Sequence, residues 1–201
     1  KVFDLDKYCH QTGIVYKFIP VEAENYMQGL GGVDEVATYD VLMNKAKWGN
    51  LNQPGVYVDR ESARTSPMPK NSYVRLAQAL VKKGKYTEAV AVADRLQHEF
   101  PNDKFTYDFY MLPLADIYYQ AESIEKANKF LKTLAGVYIE NLNYYNAVSP
   151  KFRSYYEDNT MQAYAVLSRI WEVATEYGQR ELLDEIKSDM NIPEEYKELF
   201  K

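Results

Sequence analysis

Apolar positions change rhythm along this chain, in short runs first and in helical stripes later. Ile14-Val15-Tyr16-Lys17-Phe18-Ile19 is rich in β-branched and aromatic residues and stops at Pro20, which predicts a short strand. Gly29-Leu30-Gly31-Gly32 reads as a flexible corner leading to Val33-Asp34-Glu35, whose acids suit a helix start. Val36, Tyr39, Met43 and Ala46 then recur at helical spacing up to Lys47-Trp48-Gly49, a basic last turn followed by a stop glycine. Val56-Tyr57-Val58-Asp59 reads as a second short strand. Pro67 and Pro69 forbid a helix running through residues 62–69, so that stretch reads as a linker. Residues 1–66 are thus expected to form a mixed α/β N-terminal segment packed on a helical domain of residues 67–201.

From Asn71 the pattern is one of helical hairpins, and it fits the 34-residue tetratricopeptide pattern. Tyr73, Leu76 and Leu80 take large core positions, Ala77 and Ala89 the close contacts between helices, Gly84 and Tyr86 the turn, Leu96 the late core site and Pro101 the end. Small alanines let antiparallel helices approach, Gly84 ends the first helix in a left-handed conformation, and Pro101 stops the second. A second copy runs through Leu114, Ala115, Tyr118, Ile124, Ala127, Leu131 and Leu134. It starts 38 residues after the first, and the surplus is assigned to Phe105-Thr106-Tyr107-Asp108. Pro113 predicts a kink or a late helix start. A third, degenerate hairpin is expected at Met161 to Glu176 and Glu181 to Met190 around Gly178, with a short closing helix from Pro193 to Phe200. The expected fold is mostly α, with about three tetratricopeptide-like hairpins.

Charge narrows the function. The net charge is −5, and all of the excess lies in residues 172–201, which hold nine acids and four bases. No basic face exists for a phosphate backbone, so nucleic acid is excluded as a partner. Cys9 is the single cysteine, which excludes an internal disulfide. No apolar run approaches the roughly 18 residues of a membrane span. Lys1-Val2-Phe3-Asp4 is neither an initiator methionine nor a signal peptide, so the chain reads as cut from a longer polypeptide. Nineteen tyrosines read first as amphipathic packing and second as a sugar or peptide platform.

Catalytic chemistry finds no foothold. Cys9 and His10 are neighbours whose side chains diverge in a strand, and His98 suits a surface pair one turn after Asp94. No second His or Cys stands at ligand spacing, so neither a metal nor a cofactor is expected. The Gly29–Gly32 loop lacks a following Lys-Ser or Lys-Thr and cannot be written as a dinucleotide fingerprint. The carboxylate pairs Glu22/Glu24 and Glu157/Asp158 read as solvated. Binding candidates remain. The first helices of the hairpins expose a groove with Tyr73, Tyr107, Tyr110 and Tyr119, and a loop carries Trp48, Asn52, Tyr57 and Arg60. For that loop the alternative reading is that Trp48 and Tyr57 fasten the mixed segment onto the first hairpin.

Leu5-Asp6-Lys7-Tyr8, the run from Gly13 to Val21, Tyr39-Asp40-Val41-Leu42-Met43-Asn44-Lys45 with Trp48-Gly49, and Tyr107-Asp108-Phe109-Tyr110-Met111-Leu112-Pro113 together resemble a bacterial family. Its members are large multi-pass membrane proteins with a domain of unknown function, grouped with protein O-mannosyltransferase-like, C-type glycosyltransferases. Nearly the whole chain resembles the soluble C-terminal region that follows their membrane helices. Cys9-His10 and the Gly29–Gly32 loop lie outside the resemblance. It implies a parent that transfers sugar from a lipid-linked donor, with the catalytic carboxylates outside this chain. The module itself is then a non-catalytic, extracytoplasmic (periplasmic) accessory or scaffold domain. Its partners are the membrane domain of the same polypeptide and an acceptor protein or glycan. The alternative is a carbohydrate-binding module that uses the Tyr-rich groove.

Overall fold

The computed structural model describes residues 5–25, 31–190 and 193–200. The protein is mostly helical, with a small three-stranded mixed sheet near its N-terminus. It divides into two compact units, Lys1–Thr106 and Tyr107–Lys201, so the first helical hairpin shares a unit with the sheet.

In the first unit β1 (Cys9–Thr12), β2 (Val15–Phe18) and β3 (Gly32–Val33) form a sheet in the order β2-β1-β3. β1 is antiparallel to β2 and parallel to β3. The two-residue connection Gly13-Ile14 has Gly13 at φ +76, the glycine-first turn that matches strand twist. The expected strand at residues 14–19 is β2; its central partner β1 has no apolar signature. Gln11 and Thr12 are nevertheless buried; the Gln11 side-chain nitrogen and main-chain oxygen are matched inside, while its Oε1 has no partner among the described residues. Gln11 Nε2 donates to the carbonyls of Gly13 (3.0 Å) and Ser72 (3.1 Å), and Thr38 Oγ1 donates to Gln11 O at 2.8 Å. The described half of the glycine corner is tight rather than flexible. Gly31 has φ +69, and a Cβ there would collide with the Cys9 carbonyl oxygen. Gly29 and Leu30 lie outside the described residues.

α1 (Glu35–Tyr39) is N-capped by Asp34, whose carboxylate accepts from Ala37 N at 2.9 Å, and continues as a π-type turn, Asp40–Lys45. Its buried face is Glu35, Thr38 and Leu42, not the expected stripe of Val36, Tyr39, Met43 and Ala46; Val36 is 80% exposed. Thr38 takes the inner position because its hydroxyl, which also accepts from Gly13 N at 3.1 Å, completes the hairpin's hydrogen bonds. Residues 56–59 form no strand. Asp59 instead N-caps α2 (Arg60–Arg64), and the expected linker is this helix followed by the start of α3 (Pro67–Lys82), with both prolines in its first turn where no N–H is needed. α3 and α4 (Tyr86–Glu99) bury Tyr73, Leu76, Ala77, Leu80, Ala89 and Leu96, as the repeat pattern predicts.

Arg75 ties the sheet to α3. It is 4% exposed, and its guanidinium donates to Tyr16 OH (2.5 Å) and to Gly31 O (2.8 Å). Burial pulls its pKa below the ordinary arginine value. Lys70, also buried, donates to the carbonyls of Phe105 (3.2 Å) and Thr106 (3.0 Å), drawing the segment after α4 back onto α3.

The second unit holds α5 (Pro113–Gln120), α6 (Ile124–Ala147), α7 (Glu157–Glu176) and α8 (Arg180–Asp189), with 3-10 turns at Phe109–Met111, Pro150–Tyr156 and Glu194–Phe200. Pro113 gives the late start rather than a kink, standing in the first turn of α5. Leu114, Ala115, Tyr118, Ala127, Leu131 and Leu134 are all buried. The closing segment is a short helix, as expected, of 3-10 type from Glu194 to Phe200.

All three hairpin corners close in one way. Lys85 N donates to Leu80 O (2.9 Å), Ser123 N to Tyr118 O (2.8 Å) and Gln179 N to Ala174 O (2.8 Å), each one residue after a left-handed position: Gly84, Glu122 and Gly178.

Candidate functional site

In the first unit the predicted loop is closed against α4. Trp48 Nε1 donates to Tyr73 OH at 3.1 Å, Tyr73 OH donates to Leu42 O at 3.0 Å, and the indole meets the Phe100 ring edge-on at 5.1 Å. Asn52 Nδ2 donates to His98 O at 3.2 Å. The Lys104 ammonium lies among the carbonyls of Leu51 (3.0 Å), Gln53 and Val56 (3.0 Å), standing where a cation would. Trp48, Asn52 and the buried Tyr73 are therefore fastening residues. Tyr57, expected to help fasten, is 85% exposed, and Arg60 is exposed at the start of α2.

In the second unit Tyr107 is buried against Phe130, with ring centres 5.6 Å apart. Tyr119 is buried too. Its hydroxyl donates to Asn128 Oδ1 at 2.6 Å, its ring stacks on Tyr177 at 4.2 Å, and Asn128 Nδ2 passes the chain of hydrogen bonds to Gln179 Oε1 at 2.9 Å. Burial, with Tyr177 and Asp116 beside it, pushes the Tyr119 phenol up to about 12. Of the predicted groove tyrosines, Tyr110 faces solvent, while Tyr73, Tyr107 and Tyr119 present their surface to the core.

Groups with chemical potential are committed locally. Cys9 Sγ approaches Leu5 O at 3.5 Å, while His10 Nε2 lies 2.9 Å from Val21 O, so the two neighbours engage different partners. His98 Nδ1 lies 3.5 Å from Glu99, which also pairs with Arg95 at 2.9 Å. Glu22 pairs with Lys7 at 2.5 Å, and Glu157 and Asp158 are exposed in the first turn of α7. Two open clefts of about 340 and 320 Å³ flank the first turn of α1 and share Glu35 and Val36. The acid between them, Glu35, is held by Lys83 at 2.9 Å. Among the described residues no group of three or more His, Cys, Asp or Glu is placed to hold a metal ion.

An aromatic surface in the second unit went unrecognised in the sequence. α6 ends at Ala147, just before Ser149-Pro150, and Arg153 donates to the carbonyls of Val148 and Asn146, both at 3.2 Å, capping that end. This fold-back brings Tyr144 and Tyr145 of α6 to Tyr156: Tyr145 and Tyr156 stack at 5.0 Å, and Tyr144 stands perpendicular to Tyr156 at 5.8 Å. Beside them Phe152 and Tyr155 stack at 6.3 Å, with the Lys151 ammonium 5.6 Å over the Phe152 ring. Tyr155 is 77% exposed, and Tyr144 and Phe152 are also open. The doublets Tyr144-Tyr145 and Tyr155-Tyr156 on either side of a Ser-Pro break are the signal that marks this surface.

Comparison with models of protein families, with curated proteins and with solved structures finds no match for this chain.

Proposed function

We propose that this chain is a non-catalytic interaction module, an extracytoplasmic accessory domain of a membrane glycosyltransferase-like protein, and that the aromatic surface of its second unit is the contact face. The observation that carries the reading is the exposure of Tyr144, Phe152 and Tyr155 together on one fold-back of α6 and α7. Tyrosine and phenylalanine supply large, stiff contact area at low entropic cost, and clusters of them mark protein-binding faces. The membrane tether and the extracytoplasmic setting rest on the resemblance carried by residues 5–8, 13–21, 39–45 and 107–113. Among the described residues no helix is long and apolar enough to cross a membrane, so a tether would be supplied from outside them. The test is affinity purification of the chain from native membranes, with and without Phe152→Ala and Tyr155→Ala. The reading expects one multi-pass polypeptide or acceptor protein, lost in the double variant. Retention of the same proteins by the double variant contradicts it. Calorimetric binding of a neutral oligosaccharide, lost in Tyr155→Ala, would favour the glycan reading instead.

A further inference from the structure

We infer that the free edge of β2, in the first unit, binds a short extended peptide segment of a partner protein by antiparallel strand addition. The proposal concerns a surface separate from the aromatic face and stands independently of it.

The backbone defines the site. In the register Thr12↔Val15, His10↔Lys17, closed by Ile19 N donating to Tyr8 O at 2.9 Å, the main-chain groups of Val15, Lys17 and Ile19 face β1. Those of Tyr16 and Phe18 consequently point away, off the edge of the sheet. Among the described residues no main-chain hydrogen bond reaches them from that side. Such a row of unpaired N–H and C=O groups is a template for another strand.

The side chains say what the strand must be. Tyr16 takes the Arg75 hydrogen bond and Gln11, its partner across β1, bonds Ser72, so the Tyr16/Phe18 face looks toward α3. Phe18 is still 60% exposed, with its ring edge-on to Tyr8 at 6.1 Å, and Tyr16 is also open, so these rings leave an apolar shelf under an added strand. The partner therefore carries apolar residues at alternate positions. On the other face Lys17 is the one charge of β2. In antiparallel pairing it stands at a non-hydrogen-bonded position, where side chains come closest, and selects a carboxylate opposite.

Size separates a peptide from a second copy of this chain. Four residues of edge, two of them offering outward main-chain groups, fall well short of the roughly 800 Å² per partner of a stable interface. A twofold centred on Lys17 would set Lys17 against itself. A linear segment of four to six residues matches both the length and the charge.

The experiment uses the intact chain, amide exchange by NMR, and a capped octapeptide of alternating valine and threonine with one central glutamate. In the free protein the amides of Tyr16 and Phe18 exchange faster than those of Val15 and Lys17, and saturating peptide slows them at least tenfold. Replacing the central residues of the peptide with proline abolishes the effect, and replacing glutamate with lysine weakens binding several-fold. Lys17→Glu reverses that preference. Equal exchange of all four amides in the free protein, or an effect of the peptide mapping elsewhere, overturns the proposal. A concentration-dependent dimer that protects Tyr16 and Phe18 overturns it in favour of a second copy.

Discussion

Glu122 stands at the corner of the second hairpin in the position that Gly84 holds in the first, with φ +56 against +73 and the same pair of closing hydrogen bonds. A side chain in the left-handed region costs on the order of 1 kcal/mol, and glycine escapes that cost at some expense in unfolded-state entropy. Glu122→Gly is therefore expected to raise stability by about 0.5 kcal/mol, and Gly84→Ala to lower it by about 1 kcal/mol. Urea midpoints at constant slope read both. A stabilising Gly84→Ala would contradict the shared corner geometry.

Trp48 fastens the N-terminal segment through the Tyr73 phenol and the Phe100 ring. Tyr73 accepts from its indole and donates to Leu42, so Tyr73→Phe leaves two partners unmatched and should cost about 1–2 kcal/mol. Trp48→Ala should cost about 3 kcal/mol, because the ring packing on Phe100 goes as well. In the double variant the costs should fall short of their sum by about 1 kcal/mol, measured as a double-mutant cycle in urea. Simple additivity would mean that the Trp48–Tyr73 contact carries no energy.

Asp116 gives the second unit a pH dependence of known sign. Burial, followed by the charge of Glu176, raises its pKa above the ordinary carboxylate value, and Arg169 opposes them. The folded state therefore binds this proton more tightly than the unfolded state, and stability present below the ordinary pKa is lost as pH rises through the raised one. Asp116→Asn should match the native chain near pH 3 and be the more stable of the two at pH 7. Unfolding midpoints across that range test it; a neutral-pH loss in the variant would reverse the sign and the argument with it.

The helical part was legible because its chemistry is repeated. Alanine contacts, glycine corners and proline starts each act within a few residues, so Ala77, Ala89, Gly84 and Pro113 have the environments their types demand. The N-terminal part was less legible because it is assembled by non-local polar contacts. β1 is a strand on account of partners at residues 15–18, 32–33, 38 and 72, none of which shows in Cys9-His10-Gln11-Thr12 itself. The same reason hid Thr38 behind the apolar but exposed Val36. Of the groove tyrosines Tyr73, Tyr107 and Tyr119 are buried and Tyr110 is exposed, because period alone cannot tell a phenol bonded inside, such as Tyr73 or Tyr119, from one facing water.

The central claim, an interaction module working through its aromatic face, is tested most directly by photocrosslinking in native membranes. A photoreactive phenylalanine analogue replaces Tyr155 in one sample and Tyr86, exposed at the first corner, in another. The account predicts one discrete protein adduct from position 155, identified by mass spectrometry as the multi-pass polypeptide or its acceptor, and none from position 86. Equal labelling at the two positions, or no protein adduct at position 155, would contradict it.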